Sequence, residues 1–205
     1  MEIDCAGLDA GERYKLMTGI VVPRPIAWIT SRSRSGVLNL APFSQFTIVS
    51  YTPLMVGISI GHREGLPKDT RRNVEETGEF VVNVPTFAMM QLVHHSSADY
   101  GPEDSEVDLL GVELVPSIAV GVPGVAQVPI RMECRWHSTT PFGTGGSGFV
   151  AGEVVHVHVA DDAIDGVKVD TRTIDPLMRL GGPSYARIAD ATTLPPAGRV
   201  GLPWR

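Results

Sequence analysis

PRPIAWITS (Pro23–Ser31), NLAPFSQF (Asn39–Phe46), PLMVGISI (Pro53–Ile60) and PKDTRRN (Pro67–Asn73) follow one another within a single stretch, Pro23–Asn73. Ile26–Ser31 is apolar and β-branched, and Pro25 biases its neighbour towards extended geometry, so this piece reads as a strand. Ser33–Gly36 has the composition of a hairpin turn. Val37–Ile48 continues extended but is broken at Pro42, which has no amide to donate and marks an edge, a bulge or a bend. Pro53–Ile60 is a continuous apolar run, the pattern of a strand buried on both faces. Lys68–Thr77 reads as a short helix that starts at Pro67 or Asp69 and stops at Gly78.

Outward from this stretch, Leu8–Met17 reads as a short helix or turn. Phe80–Val84 is a strand ended by Pro85, and Thr86–His94 has helical spacing with Thr86 as N-cap. Ser96–Asp108 is a polar loop whose acidic part, Glu103–Asp108, is expected in solvent. Leu109–Val115 and Ser117–Val120 are short strand candidates. Pro129–Thr140 and Gly148–Ala160 are strands joined by a long glycine-rich connection, FGTGGSG (Phe142–Gly148). Thr173–Leu180 is read as a short helix, Gly181–Ile188 as a strand, and Pro195–Arg205 as a surface arm. Many short strands with turn signals and a few short helices predict a mainly β domain, a β-barrel or sandwich with short helices. The absence of an alternating βαβ series argues against a dinucleotide-binding α/β fold.

A chain of 205 residues with 43% hydrophobic residues can bury a full core as one domain. Its formal net charge of −6 argues against nucleic acid as the main partner, because phosphate backbones need a basic face, and leaves room for a local basic site for one phosphate. The two cysteines, Cys5 and Cys134, lie far apart, so no disulfide framework is expected and a reducing cytoplasm fits. Met1–Ala10 lacks an apolar signal region, and no apolar run approaches the ~20 residues of a spanning helix, so a soluble protein without a membrane partner is expected.

Two stretches carry chemistry. In PKDTRRN a helix start offers unpaired amides, with Lys68 adding charge, Thr70 a hydroxyl and Arg63 a second cation just upstream, which together suit a phosphate. In NLAPFSQF the proline frees neighbouring backbone groups that can read the edge of a flat heterocycle, beside Asn39, Ser44 and Gln45. The rivals are weaker. His156 and His158 share a strand face near His137, but a solvated or packed role is favoured over a metal, and no metal is expected. FGTGGSG lacks the lysine of a phosphate loop, and there is no GxSxG elbow. Cys134 is read as a buried inert thiol, and Met89 and Met90 as core residues.

PRPIAWITS, NLAPFS, the strand carrying Ser59, KDTRRN, ETGEFVVNVP (Glu76–Pro85), GEVVHVHV (Gly152–Val159) and LGGPSY (Leu180–Tyr185), in that order, resemble the flavin reductase-like family of FMN-binding split barrels. This family includes flavoredoxin-like and ferric-reductase-like members. The resemblance implies one Greek-key split-barrel domain over residues 1–205, with its core at about 21–188 and a C-terminal arm at 189–205. It also implies a homodimer with FMN at the subunit interface and NAD(P)H as co-substrate. Thr30 and Ser31 then lie beside the flavin, and Asn39, Ala41, Pro42, Phe43, Ser44 and Gln45 along the ring and ribityl chain. Ser59 lies beneath, and Arg63, Lys68 and Thr70 on the phosphate side. Ser147, Leu180 and Tyr185 approach from the other side or from a partner chain. Gln45 departs from relatives with an aromatic there, Glu106 from relatives with a basic residue, and the loop GHREGLP (Gly61–Pro67) looks long.

The implied activity is NAD(P)H-dependent flavin reduction or related FMN-dependent electron transfer, with no side chain required as a catalytic acid or base. The alternatives are an FMN-binding carrier without its own nicotinamide site, serving an electron-accepting partner protein, and a barrel that has lost its flavin.

Overall fold

The computed structural model describes residues 1–193, so the proposed arm Pro195–Arg205 lies outside the described residues. Seven strands form one antiparallel sheet: β1 (Ala27–Arg32), β2 (Leu38–Phe43), β3 (Phe46–Tyr51), β4 (Leu54–Ile60), β5 (Glu79–Val84), β6 (Ile130–Phe142) and β7 (Ser147–Val159). Their order across the sheet is β2-β1-β5-β6-β7-β4-β3. The outermost strands, β2 and β3, are therefore consecutive in the chain and joined only by Ser44 and Gln45. A flat sheet of seven strands would hold its edges about 29 Å apart at ~4.8 Å per strand. Two linking residues span only about 10 Å. The sheet must curl until its edges meet at this link and splay beyond it, which is the mainly β split-barrel architecture expected from the sequence.

The buried side chains form two main cores, with a smaller cluster of Val81, Val120 and Val122 beside them. Ala27, Ile29, Phe43, Ile58, Phe80 and Val82 fill the barrel interior. Trp28, Leu40, Val93, Val107 and Leu177 pack on the outer face of β1 and β2. β1 thus sends alternate residues into two apolar environments, which is why its sequence reads as a continuous apolar run. Among the described residues five α-helices attach to this frame: α1 (Ala10–Ile20), α2 (Asp69–Thr77), α3 (Met90–His95), α4 (Glu106–Leu109) and α5 (Thr171–Ile174). α1 opens with a capping box in which Asp9 and Glu12 exchange hydrogen bonds of 2.8 and 2.9 Å. α2 stops at Gly78, whose φ of 79° is one glycine adopts without strain.

Buried polar groups join distant segments. The Asn83 amide, fully buried in β5, donates to Trp28 O (2.8 Å), and its Oδ1 accepts from Val125 N (2.8 Å). Trp28 Nε1 donates to Ser96 Oγ at 2.8 Å, tying the outer core to the segment after α3. Cys134 is buried, and burial pushes its thiol pKa up, as befits an inert packing residue.

Several elements differ from the sequence reading. FGTGGSG is a tight reversal rather than a long connection: β6 runs to Phe142 and β7 starts at Ser147, and bulges after Glu133 and Trp136 bend the pair. Ser117–Val120 forms no strand, because the amides of Ile118 and Ala119 donate to Glu133 and that of Gly121 to Glu79 instead of to a ladder. Glu103–Asp108 is only partly solvated, since α4 forms there and buries Glu106. In place of a helix over Thr173–Leu180, α5 ends at Ile174 and Met178–Arg179 pairs with both Arg24–Pro25 and Tyr185–Ala186. Within Gly181–Ile188 only Tyr185–Ala186 is strand. Thr86 makes no side-chain cap and bridges to Pro176. No helix among the described residues is long and apolar enough to cross a membrane.

The hairpin is packed tightly enough to be tested. A Cβ on Gly152 would lie 2.4 Å from Phe80 Cζ, deep in the barrel. Gly152→Ala should lower the urea-unfolding free energy by about 1–3 kcal/mol. Gly19→Ala, where an added Cβ meets nothing within 4 Å, should raise it by up to about 1 kcal/mol.

Candidate functional site

The N-terminus of α2 is held against β2 by a buried polar network. Asn39 Nδ2 donates to Thr70 Oγ1 (2.8 Å) and to Ser31 Oγ (3.4 Å), and Asn73 Nδ2 donates to Ser31 Oγ (3.3 Å). Thr70 and Asn73 are one turn apart and face inward together, which explains their spacing in KDTRRN. The outer end of the helix is left open. Lys68 occupies the N-cap without a side-chain capping bond, and the first helical bond is Arg72 N to Lys68 O. The amides of residues 69–71 therefore lack intrahelical acceptors.

A cavity of about 90 Å³ lies against this end, between β2, Arg63, Lys68 and residues 96–99. Arg63 is carried by a hairpin, His62–Arg63 against Leu66–Pro67, whose turn residues Glu64 and Gly65 both have positive φ. This fixes the segment that looked long in the sequence. Arg63 pairs with Asp69 (3.4 Å) and Asp99 (3.3 Å). Lys68 is exposed and makes no ion pair among the described residues, so its charge is available to a ligand. Thr70 Oγ1 accepts from Asn39 and keeps its own proton to donate. An uncapped helix start, an unpaired ammonium and a free hydroxyl donor together fit a phosphate monoester.

Glu106 borders the same cavity from α4. Its Oε2 accepts from Leu40 N at 2.9 Å. Leu40 lies on the open edge of β2, and strand alternation puts residue 42 on that side too, where proline has no amide. Burial raises the Glu106 pKa, with the Leu40 bond opposing and Asp69 adding to the rise.

A second cavity, of about 240 Å³, adjoins the first at Pro42 and Ser97, which line both. Thr18, Arg24, Ser44, Arg179 and Tyr185 also line it. Arg24, 7% exposed, donates to Thr18 O (2.7 Å), Val21 O and Leu180 O (3.0 Å), and through Nε to Ser44 Oγ (3.3 Å). One guanidinium thus gathers the end of α1, the Leu180 turn and the β2–β3 link, and it meets α1 at the end where cations are favoured. The Arg179 guanidinium lies 4.6 Å from the Tyr185 ring centroid, and Tyr185 OH lies 3.2 Å from His94 Nδ1.

Asn39, Ala41, Pro42, Phe43, Arg63, Lys68 and Thr70 line the smaller cavity, and Pro42, Ser44 and Tyr185 the larger. The other candidates line neither. Thr30 points to the outer face, where its hydroxyl bonds Val81 O and Asn83. Ser31 is enclosed in the Asn39–Asn73 network. Gln45 is exposed, its carbonyl accepting from Ser59 N at 2.9 Å. Ser59 pairs with Phe149, and Ser147 opens β7 opposite Phe142. Leu180 contributes its carbonyl to Arg24. The sequence reading passed over Arg24, Ser97 and Arg179, and noted Glu106 only as a departure from relatives, in a stretch expected in solvent. An arginine bracketed by two prolines before a buried strand was a usable sign for Arg24, and Ser105 three residues before Asp108 marked the start of α4.

The flavin reductase like domain family matches residues 17–178. An uncharacterised protein of Halalkalibacterium halodurans is 40% identical over 199 residues, 95% of this chain and 95% of its own length. Nitrilotriacetate monooxygenase component B from Bacillus cereus superposes with a TM-score of 0.91 at 33% identity, covering 95% of this chain and 98% of that one. The 2-nitrobenzoate 2-nitroreductase of Pseudomonas fluorescens does so with a TM-score of 0.89 at 32% identity, covering 98% of each chain.

The raised pKa of Glu106 has a testable sign. Above the ordinary carboxylate value of 4.5 the unfolded chain gives up this proton while the folded chain keeps it. The Glu106 contribution to stability is therefore greatest below that value and falls as pH rises through the raised one. Glu106→Gln retains an acceptor for Leu40 N and removes the titration. The variant should gain stability relative to the native protein as pH rises across this window, then level off. A difference independent of pH in denaturant titrations would contradict the assignment.

Proposed function

The chain belongs to the flavin reductase-like family, and on that footing we propose that it is an FMN-dependent oxidoreductase that takes reducing equivalents from NAD(P)H. The observation that carries this reading is the open start of α2, with Lys68 unpaired beside it, at one end of a groove that crosses the tip of β2. Flavin supplies hydride and single-electron chemistry when bound. The protein's task is then to hold and orient it. Lys68, the Thr70 hydroxyl and the amides of residues 69–71 would receive the phosphate, and Arg63 would add positive potential already shared with two carboxylates. Asn39 orients Thr70. Pro42, Phe43 and Ser44 would border the ring where the edge strands part. A single phosphate seat favours FMN over a dinucleotide flavin.

The relatives support an oxidoreductase role: one solved structure is a monooxygenase component and another a nitroreductase. A homodimer is supported by Ile48, Val49, Tyr51 and Leu54, which expose apolar surface on β3 and its turn into β4. Sites formed across such an interface would also give the hairpin residue Ser147 a role that it lacks within one chain. The separated free thiols Cys5 and Cys134 suit a reducing cytoplasm.

Lys68→Ala should weaken FMN about tenfold or more, as expected for loss of a charge-assisted hydrogen bond worth about 1.5–3 kcal/mol. Riboflavin, which lacks the phosphate, should bind the variant as it binds the native chain. Flavin-fluorescence titration reads both affinities, and equal losses would show that the phosphate sits elsewhere. Steady-state NAD(P)H oxidation with added flavin then separates an enzyme from a carrier: a carrier gives no turnover yet accepts electrons from a protein donor.

A further inference from the structure

Arg24 and Arg179 both line the larger cavity, and no carboxylate does. Neither guanidinium makes an ion pair within 4.0 Å among the described residues. The donors of Arg24 go to three carbonyls and a hydroxyl, which solvate its charge without cancelling it. Arg179 is half-buried and stacked on Tyr185, and no hydrogen bond fixes its guanidinium among the described residues. The short ladder places the two residues directly opposite each other, in the register Arg24 to Arg179. Like charges so placed repel, and they do so more strongly away from water. A counter-anion in the cavity would relieve that repulsion, and the planar fork of Arg179 can meet a carboxylate with two parallel bonds.

The remaining walls set the ligand's shape. Ile26, Pro42 and Val93 are apolar, and Tyr185 presents a ring already held edge-on by His94. A volume of about 240 Å³ admits a single ring with its substituents and is small for a dinucleotide. We propose that this cavity binds a small planar organic anion, a single-ring carboxylate, with Arg179 as the residue that grips it. Pro42 and Ser97, shared with the smaller cavity, would set that anion beside the flavin groove. Its position as a second substrate rests on the flavin reading, whereas its binding does not.

Calorimetric titration of the full chain, with and without FMN, tests this using benzoate and its neutral counterpart benzamide. Benzoate should bind about tenfold or more tightly than benzamide, as a fork-to-carboxylate pair requires. Arg179→Gln should abolish that preference while leaving benzamide and FMN affinities unchanged, and Arg179→Lys should keep part of it as a point charge. Equal binding of the two probes, or no benzoate binding at about 10 mM, would overturn the proposal. A loss in Arg179→Gln confined to FMN would overturn it too, by assigning the cation to the flavin. Failure of the flavin reading would look different: benzoate would bind to a chain that takes up no FMN.

Discussion

Ser44 and Gln45 join the two outermost strands of a seven-stranded sheet, and that short link sets the curvature of the whole domain. The strands between must bend round to bring the edges together. The long hairpin of β6 and β7 makes this bend, with its two bulges and with Gly152 admitting the Phe80 ring where a larger residue would push it away. The edges touch at the link and diverge from it. Both cavities lie along β2 and its link, so the candidate site is tied to the strand at which the barrel closes.

Such a seam exposes backbone, and its polar groups need partners. Glu106 takes the Leu40 amide, Pro42 offers none, and Arg24 collects two carbonyls from the end of α1, one from the Leu180 turn and the Ser44 hydroxyl of the β2–β3 link. The groove is polar because its walls are made of strand edge, helix start and turn. Their charges are unevenly distributed. The α2 side mixes two cations with Asp69, Asp99 and Glu106, while the Arg24 side has cations alone.

Much of the frame was legible in the sequence because it depends on local pattern. The strands over Ile26–Ser31 and Pro53–Ile60 were readable from apolar runs, and the end of α2 from Gly78. The misreadings arose where a distant residue decides the backbone's fate. Ser117–Val120 has strand-like composition, but Glu133 takes the amides of Ile118 and Ala119, and Glu79, on a separate strand, takes that of the next residue, Gly121. Within the candidate site, KDTRRN forms the start of α2, as its composition predicts, yet its residues play different parts that spacing alone does not reveal. Thr70 and Asn73 fasten the helix, and Lys68 stands exposed with no ion pair among the described residues. Ser31 lies at the strand end, where its hydroxyl accepts from two buried amides, Asn39 and Asn73, a pairing that spacing does not show.

The two edges of the sheet are finished differently. On β2, the acid of α4 and a proline leave little for another strand to pair with. β3 has a ladder on one side only, and its apolar side chains stand exposed. A chain with two open edges can add copies without limit, whereas a chain with one can add a single copy, edge to edge about a two-fold axis. Plugging β2 therefore makes any assembly through β3 self-terminating, and the seam that admits a ligand is closed to fibre growth.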